Sequence, residues 1–364
     1  MVSKRKNTYT ISTQQQQQQQ KMTLLKSSYN PIVLVFLLTC LITYTCLEIY
    51  TSTPLPRRDA VRKRSEIPQP PFIDTYKSIA SLPDDLIRIG RQVFHNDDEA
   101  FGTFLRKLDV MRLSVTNDRS ILIAFAKDDK MMSYRLRKEV GPSKDEYGIV
   151  NSITETDGVI VDVGANVGVT TITAAKIHPT LQIVSFEPVP TTYFLLYYNI
   201  LLNEIPILNP NQLKLGGRAG VLPIHAALAG RDSESKVVRW SVQASNMAVV
   251  NSLQESDRLG KSFLRSIVRS ISLEQYLSSH GGVDKCVRLL KMDCEGCEFE
   301  TIPMMASFIR DRSRVRRFSA EVHQSLRSVE EVTYASKPSP EMLRQTDEVL
   351  IDRGCNPMNT IVHC

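Results

Sequence analysis

Apolar positions fall into three patterns along the chain. From Ser27 to Leu47 no charged residue interrupts 21 consecutive positions, and "PIVLVFLLTCLITYTCL" (31–47) has no polar face. A bilayer core takes about 20 apolar residues in a helix, so this pattern predicts a membrane-spanning anchor over 31–50. A cleaved signal peptide carries a shorter apolar region with a small-residue site close behind it; here Glu48, Ile49 and Tyr50 follow. Residues 1–30 read as a polar tail whose seven glutamines (14–20) cannot make a core. Residues 51–72, with "PLPRR" and "IPQPPF", read as a proline-rich basic stalk.

The second pattern covers 73–145, an accessory α+β region. Residues 84–108 have helical periodicity, and "MRLSV" and "ILIAFA" read as a pair of short strands. The third pattern begins at 146 and runs to 364. Short apolar, β-branched runs alternate there with helical stretches, which predicts an α/β fold with a doubly wound, mostly parallel sheet. The expected strands are Val159–Val163, Gln182–Phe186, Val221–Ala227, Val287–Met292 and Val315–Val322. An amphipathic helix is expected between the first two, stopped near Pro179, and a second over "VPTTYFLLYYNILLNEI".

Charge changes one part of this picture. The formal net charge of +6 suggests a nucleic-acid partner, but ten of the 45 basic residues and only two of the 39 acidic ones lie in residues 1–64. The remaining 300 residues carry 35 basic and 37 acidic groups. A folded part without excess positive charge argues against nucleic-acid binding. Basic residues flank the apolar run on both sides, so the positive-inside rule does not orient it. A single anchor before one large domain leads us to expect that domain in the lumen of the endoplasmic reticulum or Golgi. "RKRS" (62–65) reads as a solvated linker cluster or a basic-site protease target.

Seven cysteines do not make an obvious disulfide framework. Cys40 and Cys46 fall in the apolar run, and Cys355 and Cys364 flank a short hairpin-like end that an oxidising lumen would let pair. Cys294 and Cys297 form C-x-x-C, but a zinc site wants a second ligand pair at similar spacing, so no metal is expected.

The candidate chemistry sits where the first parallel strand ends. "VIVDVGANVG" (159–168) places Asp162 near the end of an apolar strand and follows it with Gly164, Asn166 and Gly168. A dinucleotide fingerprint would read G-x-G-x-x-G; the second glycine is missing here, which weakens a nicotinamide-dependent oxidoreductase. A carboxylate at that strand end repels a pyrophosphate and suits a cation or amine, and S-adenosylmethionine offers both in its sulfonium and α-ammonium. Glu187, in "SFEP" at the end of the second strand, has the type and place to accept hydrogen bonds from ribose hydroxyls.

These motifs, with "FEPVP" followed by "YYNILLN", then "ISLEQYL", "LLKMDCEGCE" and "SAEVH", resemble the FkbM family of class I S-adenosylmethionine-dependent methyltransferases in order over about residues 145–325. The resemblance implies a Rossmann-like methyltransferase sheet, bound S-adenosylmethionine, and methyl transfer, commonly to a hydroxyl of a small molecule or glycan. The chain departs from that pattern in its N-terminal anchor, in the insert "NPNQLKLGGRAG" (209–220) and in the cysteines flanking Glu295-Gly296. The expected cofactor-binding residues are Asp162, Gly164, Asn166, Gly168 and Glu187. Asp293 and His323, at the ends of the fourth and fifth strands, are the expected catalytic pair, since a hydroxyl acceptor must lose a proton. For Asp293 a helix N-terminal cap is the structural alternative; Glu295, Glu298 and Glu321 stand close by, and His225 reads as a packed core histidine. A membrane-tethered binding protein that retains the fold without turnover remains open at this stage.

Overall fold

The computed structural model describes residues 77–129, 132–134, 136, 141, 144–229, 233–241, 248–251, 263–280, 287–294, 296–322 and 338–364. The polyglutamine tract, the expected anchor over 31–50, the stalk, Glu295 and His323 lie outside the described residues. Among the described residues no helix is long and apolar enough to cross a membrane.

The accessory region opens with α1 (Asp84–Val93) and α2 (Asp98–Arg106). The helical stretch breaks between them because His95 and Asn96 take left-handed backbone angles (φ 52° and 63°). Asp97 then starts α2 as its N-cap, accepting from the Ala100 amide at 2.9 Å. Strands β1 (Leu108–Ser114) and β2 (Ser120–Ala126), the expected pair of short strands, form an antiparallel hairpin.

The central sheet contains β3 (Val159–Val163), β4 (Gln182–Phe186), β5 (Gly220–Ile224), β10 (Val287–Met292), β11 (Phe318–Glu321) and β12 (Ile361–His363) in the order β12-β11-β10-β3-β4-β5. All neighbours are parallel except β12, which runs antiparallel to β11. Strand order reverses between β3 and β10, the place where open α/β sheets receive ligands. Two strand expectations shorten. β5 ends at Ile224 rather than Ala227, and its Pro223 is tolerated because β5 is an edge strand. β11 spans only Phe318–Glu321, with Val315 making an isolated bridge to Val287.

Alternation along the strands sends Ile160, Ile183 and Leu289 to one core and Val161, Val184 and Leu290 to the other. The first core holds α3 (Val169–Ile177), α4 (Pro190–Leu202) and the accessory region, so Leu86, Phe101 and Ile123 share it with Phe194 and Ile200. This third layer explains why α3 is not amphipathic as expected: five consecutive residues, Thr171–Ala175, are buried. Asn199 on α4 and Asn203, its C-cap, complete the layer. Their side chains pair with both backbone groups of Ala124 and Leu122 on β2, satisfying a strand edge that would otherwise bury unpaired donors and acceptors.

The opposite core is covered by α5 (Leu273–Ser279), α6 (Glu298–Met304), α7 (Ala306–Arg310) and α8 (Pro340–Arg353). A second, four-stranded sheet, β6-β9-β7-β8, is formed by β6 (Ala227–Ala229), β7 (Ser233–Ser241), β8 (Ala248–Asn251) and β9 (Phe263–Ser272) and was not anticipated. Cys355 and Cys364 are disulfide-bonded across the C-terminal segment, and Cys294 and Cys297 are bonded to each other.

Candidate active site at the strand-order reversal

The loop from β3 to α3 sets the site. Gly164 has φ 73°, and a Cβ there would lie 1.7 Å from the Asp293 carbonyl oxygen, so only glycine lets this loop lie against the end of β10. Gly168 caps α3 in the left-handed region, where a Cβ would meet Leu196 of α4 at 2.7 Å. Its role is close packing, and it does not line the cavity described below. Between them Asn166 also takes a left-handed conformation, with φ 51°. The loop is tied down on all sides. The Gly164 and Ala165 amides donate to Phe186 O, the Asn166 amide to Glu187 Oε2 at 2.8 Å, and Asn199 Nδ2 to Val167 O at 2.8 Å.

Glu187 is almost fully buried, and both its oxygens serve backbone and hydroxyl donors. Oε1 accepts from the Val189 amide (2.8 Å) and Thr192 Oγ1 (2.7 Å), while Oε2 accepts from Asn166. Burial pushes its carboxyl above the usual range, and these hydrogen bonds work against that rise. The protein's own donors thus reach both oxygens, and Glu187 braces the loop from behind.

Asp162 departs further from expectation. It is fully buried and faces Lys291, its register partner on β10, with Nζ 2.9 Å from Oδ1. Thr171 Oγ1 of α3 donates to the other oxygen at 2.6 Å and shares a 2.7 Å hydrogen bond with Ser185. A strand residue at this level points beneath α3, so Asp162 cannot lie on the cavity wall.

That cavity, about 240 Å³, is lined by the loop residues Gly164 and Asn166 and by Lys291, Asp293, Glu321 and Tyr147. Asp293 is partly exposed to it. The N-cap of α6 is Cys297, so Asp293 is not that helix's cap. Tyr147 donates its hydroxyl to Asp293 Oδ2 at 3.0 Å and lies 3.5 Å from Glu321 Oε2. Burial first, then the charges of Asp293 and Glu321, raise the Tyr147 phenol far above its ordinary value, so it stays protonated and acts as a donor. Sequence reasoning missed both Tyr147 and Lys291. Tyr147 sits in an irregular segment 146 positions from its partner. Lys291 had a readable signal, because a lysine inside a buried strand demands a counter-ion.

The other candidates separate cleanly. Glu298 is buried and accepts from the Gly296 amide at 2.8 Å at the start of α6, a helix-terminus role. His225 is exposed rather than packed in the core, stacked on Tyr193 at 4.7 Å with Nε2 3.1 Å from Pro188 O. Among the described residues no cluster of three or more His, Cys, Asp or Glu side chains could hold a metal.

The cavity suits a ligand carrying positive charge and hydrogen-bond donors. Asp293 and Glu321 bring carboxylates to its wall, and Asn166 Oδ1 is a buried acceptor with no protein partner. Lys291, the buried cation of that wall, is already neutralised by Asp162. A pyrophosphate would meet repulsion here, and a sulfonium with an α-ammonium would not.

The chain is also similar to known proteins. The model of the methyltransferase FkbM domain matches residues 162–349. The curated protein Methyltransferase 1 of Beauveria bassiana (strain ARSEF 2860) is 26% identical over 151 residues, which cover 40% of this chain and 57% of that protein. The chain thus spans a little over half the length of this relative. The crystal structure of methyltransferase FkbM from Methylobacillus flagellatus KT aligns with a TM-score of 0.34 at 11% identity, over 77% of this chain and 59% of that one.

Proposed function

Because the chain belongs to the methyltransferase FkbM domain family, we propose that it is an S-adenosylmethionine-dependent O-methyltransferase. The observation that carries the reading is the Asp293 carboxylate, held by Tyr147 on the wall of a cavity that the glycine loop also lines. S-adenosylmethionine, when bound, supplies an electrophilic methyl carbon on a positively charged sulfur. The chain's own residues supply the rest. Gly164 lets the loop lie against the strand end that carries Asp293, and Asn166 offers its unpartnered acceptor. Asp293 receives the proton that an acceptor hydroxyl must lose, a contribution of roughly 10²–10⁴ in rate. Tyr147 keeps that carboxylate fixed in orientation, and fixed orientation is where much of an in-line displacement's acceleration arises.

The chemistry of the wall supports one acceptor class. Carboxylates and a tyrosine hydroxyl are hydrogen-bonding partners for a neutral polyol, so the proposed acceptor is a hydroxyl of a saccharide or small molecule. The test is incubation of the purified chain with methyl-labelled S-adenosylmethionine and a panel of neutral glycans. The expected product carries one label on oxygen, stable to mild base; label found only on carboxyl or nitrogen contradicts O-methylation.

The uncharged run over 31–47 supports a single-pass tether holding the domain in a secretory lumen. The full chain is accordingly expected to stay in the membrane pellet after alkaline carbonate extraction, with its domain protected from protease in intact vesicles. Release into the supernatant would contradict the tether.

A further inference from the structure

We propose that the buried Lys291–Asp162 pair is a positioning latch for the loop Gly164–Gly168, with neither residue making the cation contact that the sequence assigns to Asp162. Three adjacent strands place polar side chains at one level: Ser185 on β4 is the register partner of Asp162 on β3, which is the register partner of Lys291 on β10. All three are buried, and Thr171 from the first turn of α3 joins the row.

Lysine has three N–H donors and no acceptor. Lys291 Nζ donates to Gly164 O at 3.0 Å and Val163 O at 3.3 Å, and it forms an ion pair with Asp162 Oδ1 at 2.9 Å. Two consecutive carbonyls are thereby turned inward to one cation, at the point where the chain leaves β3 and becomes the loop. Val163 O also accepts from the Asp293 amide, so the same cation ties the loop to the strand end that carries Asp293. The Tyr147 ring closes over Nζ at 5.2 Å. Burial disfavours the ammonium, but the nearby charges of Asp162 and Asp293 outweigh it and raise the Lys291 value, so the latch is charged.

A buried ion pair seldom adds stability over apolar side chains of the same volume. What this pair adds, and two leucines could not, is the set of hydrogen bonds that fixes the loop carbonyls. The inference rests on reading the loop as the methyl-donor site.

The experiment uses the full chain carrying Lys291→Met, Asp162→Asn and both together. Lys291→Met leaves Asp162 without a cation and Asp162→Asn leaves Lys291 only Asp293, at 3.9 Å, as counter-ion, so each single change should lower the unfolding midpoint, and the double change should recover most of that loss. If the pair is a latch, the double variant nevertheless binds S-adenosylmethionine about tenfold or more weakly, and its amides at 164–168 exchange about tenfold faster in ligand-free protein, because hydrogen bonds from a charged donor are gone. A double variant that regains the midpoint and matches the wild type in both readouts overturns the proposal. Should the double variant not fold, Thr171→Val decides. It keeps both charges but frees Asp162 Oδ2, and it should speed loop exchange while Thr171→Ser restores it; unchanged exchange in Thr171→Val overturns the latch. Failure of the wild type to bind S-adenosylmethionine would contradict the donor reading alone, since loop exchange is read without ligand.

Discussion

Replacing Asp293 by asparagine is expected to lower turnover by roughly 10² or more, with a much smaller loss of affinity for S-adenosylmethionine. Asparagine keeps the size of the side chain and an oxygen for the Tyr147 hydroxyl, which donates at 3.0 Å in the native protein. The fold should therefore survive. What asparagine lacks is a basic carboxylate on the cavity wall. A helix cap would tolerate this substitution, because asparagine caps about as well as aspartate, but the cap of α6 lies four residues later at Cys297. Steady-state kinetics beside calorimetric titration separates the outcomes. A rate within a few fold of the wild type would remove Asp293 from the chemistry and move attention to Glu321, whose carboxylate approaches the same tyrosine.

Glu187→Ala is expected to cost about 3 kcal/mol or more of folding stability, and to weaken donor binding through the loop it braces. Three donors lose their acceptor together: the amides of Asn166 and Val189 and the Thr192 hydroxyl. Val189 and Thr192 are buried, so water cannot replace the carboxylate without opening the structure. Urea denaturation of wild type and variant measures the first effect, and titration measures the second. Normal stability with weakened binding would mean that Glu187 acts on the ligand directly, as its position in "FEPVP" alone suggests.

That contrast marks where sequence legibility ended. Runs such as "VIVDV", "QIVSF" and "VRLLKM" are β-branched or aliphatic and buried on both faces, so their periods and ends are sharp. The observed β3, β4 and β10 have the predicted limits. The second sheet was invisible for a physical reason: β6 pairs with β9 some 40 residues away, and local propensity carries no information on such pairing. The site divides in the same way. Gly164, Asn166 and Asp293 were legible because a left-handed turn at a strand end and an acid at the next strand end each leave a local signature. Asp162 and Glu187 were legible as residues, but their protein partners were not. Lys291, Thr171 and Thr192 become their neighbours only after β10, α3 and α4 pack.

The central claim is that this loop and cavity hold S-adenosylmethionine. Isothermal titration of the purified chain with S-adenosylmethionine, S-adenosylhomocysteine and NAD tests it most directly. The account predicts one-to-one binding of the first two and no heat of binding from NAD. Saturable binding of NAD, or no binding of either sulfur compound by folded protein, would contradict it.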